Sequence, residues 1–155
     1  MNLFQTLYKV RRDGKVVTDD MTFEQVYVLG EPSRVIEAHW IDGLSQKPVS
    51  LKSPFGVLAR RVQGGKFLVA MVYSNNTNCA LVVVKSDGKI HLTVPDLQKI
   101  NGENRNGRFR GFESPRQPAD GIFGVVFDVN YRVTAQYWMD IDAATGQVLT
   151  CAWTR

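Results

Sequence analysis

Short segments in which apolar and polar residues alternate recur along this chain of 155 residues, separated by glycine, proline, asparagine and aspartate. Successive side chains of a β-strand point to opposite faces of its sheet, so this alternation is typical of antiparallel sheets with one buried and one solvated face. The clearest example is residues 133–142. Its predicted apolar face is Val133, Ala135, Tyr137, Met139 and Ile141, and its predicted polar face is Thr134, Gln136, Trp138, Asp140 and Asp142. Residues 35–42 repeat the pattern, with Ala38 and Trp40 on one face.

Further strands are predicted where valine, isoleucine, phenylalanine and tyrosine are concentrated. These segments are residues 4–11, 55–62, 67–73, 80–85, 90–94, 122–129 and 148–153. Pairs that favour tight turns lie in their connections, namely Asp13-Gly14, Gly64-Gly65, Asp87-Gly88 and Thr145-Gly146. We therefore predict a mostly β protein of antiparallel sheets built from hairpins, forming a sandwich or a partly open barrel, with at most one or two short helices.

Residues 20–29 fit a helix and a strand equally well. Thr22 and Gln25 have the spacing of a helix capping box, and Gly30 is a usual helix stop, whereas residues 26–29 are also β-prone. In the helical alternative, one apolar face is formed by Phe23, Val26 and Tyr27. A short helix is also an alternative for residues 96–100.

Length and composition predict one globular domain, residues 1–155, since 44% of the residues are apolar and no linker or internal repeat is evident. No apolar run approaches the roughly 20 residues that span a bilayer, and the N-terminus lacks the features of a signal peptide. We expect a cytoplasmic protein without membrane contact. The net charge of +4 is spread along the chain and favours an acidic or near-neutral partner.

Cys79 and His91 flank a predicted hairpin. The segment resembles the catalytic hairpin of Cys/His deamidases related to cytotoxic necrotizing factors, which would make the pair a thiol hydrolase or glutamine deamidase centre. A two-residue turn at Asp87-Gly88, however, places Cys79 opposite Asp96 and about 16 Å from His91, and a three-residue turn with a bulge leaves about 13 Å. A catalytic thiolate needs its imidazole within hydrogen-bond reach. We therefore expect a structural thiol, a surface histidine and no enzyme, with the Cys79/His91 centre as the alternative.

Residues 105–116 interleave basic and aromatic side chains: Arg105, Arg108, Phe109, Arg110, Phe112 and Arg116. Such a mixture is typical of single-stranded nucleic-acid binding, of a protein contact, or of a solvated surface segment. If the segment is a strand, Phe109 points away from Arg108 and Arg110 and is a core residue.

The candidate partner-binding residues are Trp138, Arg108, Arg110 and Phe112. Trp138 is a large aromatic on the polar face of its strand, where it is either an exposed binding anchor or covered by a second sheet. With two histidines and no cysteine cluster, the sequence predicts no zinc site, and we expect no other metal and no cofactor.

Three segments resemble the immunity proteins of contact-dependent inhibition and related polymorphic toxin systems, which are bacterial. They are YWMDIDAATGQVL at 137–149, LVVVKSDGKIHLTVP at 81–95, and Gly-Arg-Phe at 107–109. The resemblance implies a cytoplasmic, non-catalytic protein that neutralises a cognate toxin by covering its active site. The expected partner is therefore another protein, with nucleic acid as the alternative.

Overall fold

A computed structural model describes residues 1–129 and 135–154 of the chain. The strands are β1 (Phe4–Arg11), β2 (Val16–Thr18), β3 (Val35–Asp42), β4 (Pro48–Lys52), β5 (Val57–Arg61), β6 (Leu68–Tyr73), β7 (Cys79–Val84), β8 (Ile90–Val94), β9 (Leu97–Ile100), β10 (Glu103–Glu113), β11 (Ile122–Val129), β12 (Ala135–Asp142) and β13 (Val148–Trp153). A short helix, α1 (Phe23–Tyr27), lies between β2 and β3.

The strands form three antiparallel sheets. The first has the order β2-β1-β3-β4, the second β5-β6-β7-β8, and the third β13-β12-β11-β10-β9. Most neighbours are consecutive in the chain, as expected when hairpins build the sheets. The prediction of a mostly β protein with antiparallel sheets is confirmed.

The second sheet is the middle layer because its central strands bury both faces. Leu68 and Ala70 of β6 belong to one hydrophobic core, whereas Val69 and Met71 belong to the other, and β7 alternates in the same way. The residues supplied by the first sheet to its core are Phe4, Leu7, Ala38 and Trp40. The residues supplied by the third sheet include Phe109, Phe123, Val125, Phe127, Met139 and Ile141. The middle sheet thus separates two cores.

The predicted strand faces are largely confirmed. Ala38 and Trp40 are buried, as are Met139 and Ile141 at the core-facing side of β12. The predicted polar face of β12 is wrong at Asp140, whose residue is only 2% exposed. Val133 and Thr134, which belonged to the same prediction, lie outside the described residues.

The loops 43–46 and 143–146 are built alike, although their sequences show no repeat. In each, the aspartate before the loop, Asp42 or Asp142, accepts a backbone hydrogen bond through its side chain from the residue two positions on. The residue two positions before the next strand adopts a positive φ in both loops, 60° at Gln46 and 75° at Gly146. Hydrogen bonds from Leu44, Ser86 and Ser45 keep the pKa of Asp42 below its usual value.

The hairpin tips of the middle sheet are bonded to both outer sheets. In the β5–β6 turn, Gly65 O accepts from Leu3 N and Gln63 O accepts from Gly121 N, each at 2.9 Å. In the β7–β8 turn, Trp40 Nε1 donates to Ser86 O at 2.7 Å. The three layers are therefore joined by directional bonds as well as by apolar contact.

Two regions differ from the sequence-based expectations. Residues 96–100 do not form a helix; residues 97–100 form β9, which pairs with β10 around Asn101-Gly102, both with positive φ. That backbone conformation is typical of a tight hairpin turn. The short strands β2 and β4, at edges of the first sheet, were not predicted.

In residues 20–29 the helical alternative is correct. Thr22 and Gln25 form both hydrogen bonds of the capping box at the start of α1. Within residues 1–129 and 135–154, no helix is long and apolar enough to cross a membrane.

We predict that Leu81→Ala lowers the free energy of unfolding by about 2–5 kcal/mol, because Leu81 is fully buried beside Met71 and its removal leaves a cavity. Leu58→Ala is the matched control. Leu58 lies on the other side of Met71 but is 41% exposed, so we expect a loss below about 1 kcal/mol. Urea unfolding followed by tryptophan fluorescence measures both, and equal losses would contradict the layered arrangement.

Candidate partner-binding surface

Cys79 and His91 are not brought together. Leu81 pairs with Val94, and two more residues along the strands place Cys79 opposite Asp96, as predicted. The turn, however, has three residues, because Lys85 N donates to Lys89 O and Gly88 N to Lys85 O. A β-bulge leaves His91 unpaired, because Val83 pairs with Leu92 and Val84 with Ile90. Beyond the bulge, the strands have the register expected for a two-residue turn. Five strand residues remain between the two side chains, about 16 Å.

The two side chains also have separate partners. Cys79 Sγ lies 3.7 Å from Phe109 O, and burial, followed by the charge of Asp96, raises the pKa of its thiol. His91 Nε2 donates to Ala144 O at 2.7 Å, and its ring packs on Phe67 with centroids 5.0 Å apart. A raised thiol pKa disfavours the thiolate that nucleophilic catalysis requires. His91 thus anchors the 143–146 loop to β8.

Trp138 is half-buried rather than freely exposed. The guanidinium of Arg116 lies 4.7 Å from the centroid of its ring, and Arg116 N and Gln117 N each donate to the Asp140 carboxylate at 3.0 Å. The segment around Arg116 therefore covers the outer face of the third sheet at this point. Covering by a chain segment, and not by a second sheet, is what the sequence analysis missed.

The other predicted binding residues occupy β10 and face different surroundings. Arg108 is exposed, and Arg110 Nε lies 2.5 Å from Asp128 Oδ2. Phe112 is partly buried against the core between the middle and third sheets. Its ring meets that of Phe123 edge-on, with centroids 6.3 Å apart. Phe109 is 2% exposed, so the prediction that it is a core residue is confirmed.

The basic residues of 105–116 are largely engaged within the chain. Arg105 pairs with Glu103, Arg110 with Asp128, and Arg116 stacks on Trp138. A groove that binds single-stranded nucleic acid aligns several free cations with exposed aromatic rings. Nucleic-acid binding through this segment remains a prediction. Arg108, Arg110 and Arg116 are exposed, but Arg110 and Arg116 have partners within the chain and Phe109 is buried.

A polar cleft of about 650 Å³ opens where β7 meets β10. It is lined by residues that include Cys79, Asp96, Asn106 and Arg108. Burial raises the pKa of Asp96, and burial together with Cys79 raises the pKa of Tyr73, which pairs with Cys79. Burial therefore disfavours the charged forms of these groups.

A surface that the sequence analysis did not name as a binding candidate lies between β2 and β3. We call residues 19–33 the α1 arm. Its helix has no buried residue: Phe23 is 82%, Tyr27 74% and Val28 78% exposed. Phe23 and Tyr27 stack on each other, with centroids 6.2 Å apart. The apolar face predicted for a helix here is real, but the rest of the described chain does not cover it.

The base of the α1 arm is held by cations that bind its carbonyl groups. Lys15 Nζ donates to Leu29 O, and Arg11 Nη2 donates to Glu31 O. Arg12 N donates to Arg34 O at 2.8 Å where the arm joins β3. These bonds hold the C-terminal part of the arm against the β1–β2 hairpin. The signal available from sequence was the capping box, which predicted the helix but not its exposure.

Comparison with known proteins gives one strong structural match. No family model matches the sequence, and no curated protein matches it. A chain of the solved structure titled "Structure of Tne2 in complex with Tni2" is similar with a TM-score of 0.89 and 29% identity, over 98% of this chain and 99% of that chain. That complex is a toxin–immunity pair, so the resemblance to proteins of toxin–immunity systems is confirmed.

We predict slow alkylation of Cys79. In a Cys151→Ser protein, iodoacetamide at pH 7 should modify Cys79 more slowly than free cysteine, because the raised pKa leaves little thiolate, and the rate should climb as the pH passes above 9. Mass spectrometry measures the rate. Adding His91→Ala should leave it unchanged. Rapid labelling at pH 7 that is lost in the His91→Ala variant would contradict the separation of the two groups.

Proposed function

We propose that this chain is an immunity-type protein, a single cytoplasmic domain that binds a cognate toxin and blocks it by covering its active site, without catalysis of its own. The observation that carries the proposal is the end-to-end similarity to a chain of a toxin–immunity complex, which leaves almost no part of either chain unmatched. Because a fold alone does not give a function, the proposal draws on the extent of this match, which covers almost all of both chains at 29% identity.

The geometry around the two candidate catalytic residues supports a binding role. Cys79 and His91 lie about five strand residues apart, and each contacts a different carbonyl group. A binding protein needs exposed apolar anchors instead, and the α1 arm presents Phe23 and Tyr27 in that condition.

We predict that one product of the reading frames flanking this chain's gene arrests growth when expressed alone in a bacterial cytoplasm, and that co-expression of this chain restores growth. The purified pair should elute as one complex in size-exclusion chromatography, because inhibition by covering requires a stable contact. Colony counts and the elution volume are the measurements.

Cys79→Ser and His91→Ala provide the control for this experiment. Both variants should protect as well as the unchanged chain if neutralisation is stoichiometric binding. Loss of protection with retained binding would contradict the proposal and favour the thiol enzyme. Flanking products that are harmless, or toxic regardless of this chain, would overturn it.

A further inference from the structure

We propose that the α1 arm is the surface through which this chain binds its protein partner, and that the partner presents an apolar pocket rimmed by lysine and arginine. This inference rests on the function proposed above and specifies where, and by what chemistry, recognition occurs.

Helix α1 of the arm has no buried side chain within the described chain. Phe23 and Tyr27 are four positions apart on α1, so they lie on one face, and Val28 continues the exposed surface. Helices of five residues have little stability of their own, and this one gains none from burial of its side chains. The two rings stack on each other and are exposed to solvent. Aromatic residues are enriched in the cores of protein interfaces, and tyrosine is a common hot-spot residue.

The arm is ordered before any partner arrives. The capping box fixes the first turn of α1. The bonds from Lys15 and Arg11 fix the segment after the helix, at Leu29 and Glu31. A preformed element loses less conformational freedom on binding than a loop that must fold, which favours affinity. These hydrogen bonds thus restrain the backbone that carries the two rings.

Charge specifies the partner's chemistry. Residues 19–33 contain four of the chain's 15 acidic residues, Asp19, Asp20, Glu24 and Glu31, and none of its 19 lysines and arginines. Asp19 and Asp20 also line a groove of about 720 Å³ beside β1 and β2, where Asp19 pairs with Lys9 and Arg61. Asp20 and Glu24 form no ion pair with any described residue, so they carry the charge that a partner would meet. The arm is therefore acidic on a chain whose net charge is +4. A basic partner surface complements the arm, although the whole-chain charge alone suggested the opposite.

Another row of exposed apolar residues, on the edge strand β13, has no acidic residues beside it in the strand. Leu149 and Trp153 of the edge strand β13 are 48% and 68% exposed. Residues 148–153 contain no charged residue, so nothing there indicates which partner would cover them. That row therefore provides a matched control for the aromatic residues of the arm.

The test uses the purified complex with the toxic flanking product and measures its dissociation constant by biolayer interferometry. We expect the double variant Phe23→Ala, Tyr27→Ala to weaken binding about 30-fold or more, the loss typical of a hot spot. Trp153→Ala should change the constant less than about threefold. Alanine favours helix and both rings are exposed, so the urea midpoint should not fall.

Charge reversal tests the partner's rim. Glu24→Lys should slow association severalfold at low salt, and added NaCl should reduce the difference from the unchanged chain. Glu113→Lys, at an exposed position of β10, is the control with the same charge change. Faster association of Glu24→Lys would overturn the basic rim.

The outcomes separate the two proposals. Normal binding by the aromatic double variant would overturn the role of the arm and leave the immunity function standing. Failure of the unchanged chain to bind any flanking product would overturn both. If sedimentation shows that the chain alone is a dimer and that Phe23→Ala, Tyr27→Ala makes it a monomer, the arm contacts a second copy, and the proposal of a different, basic partner is wrong.

Discussion

The structure depends on a middle sheet that is apolar on both faces. Because side chains alternate along a strand, β6 and β7 can serve two cores only if nearly every residue is apolar, and residues 68–71 and 81–84 meet that condition with exposures of 0–4%. The outer sheets need one apolar face each, so their strands keep the alternation of apolar and polar residues. A polar residue in the centre of β6 or β7 would lie in one core or the other, whichever face it pointed to.

Hydrophobic contact between the layers is non-directional and does not by itself fix how the sheets are aligned. Backbone hydrogen bonds at the ends of the middle sheet fix that alignment. The β5–β6 turn bonds to the residue before β1 on one side and to Gly121, the residue before β11, on the other. Gly65 is held so close to Asn2 that a Cβ atom would lie 2.5 Å from its Cα. Glycine is required there by proximity as well as by its φ of 76°. The outer sheets are therefore attached to the middle one at corresponding positions.

Most of the fold was predictable because it follows from local alternation and turn residues. The strands at 4–11, 35–42, 90–94, 122–129 and 148–153 lie where the sequence predicted them. The β9–β10 hairpin was missed although Asn101-Gly102 is a strong hairpin signal, and β4 begins at Pro48, a residue tolerated in a strand chiefly at sheet edges. The surroundings of Trp138 and Asp140 were not predictable, because the segment that covers them lies more than 20 residues away in the chain. The exposure of α1 was hidden for a related reason, since an amphipathic pattern does not reveal whether the cover is the same chain or another molecule.

The lack of any buried side chain on α1 has a consequence for divergence. Substitutions in sheet cores are constrained by packing, whereas exposed positions usually change folding free energy by less than about 0.5 kcal/mol. Phe23, Glu24 or Tyr27 can therefore be substituted during evolution without compensating changes in the packing of the sheets. Two chains can therefore share an architecture, as this chain and its neighbour with 29% identity and a TM-score of 0.89 do, while the side chains of such an exposed helix are free to differ.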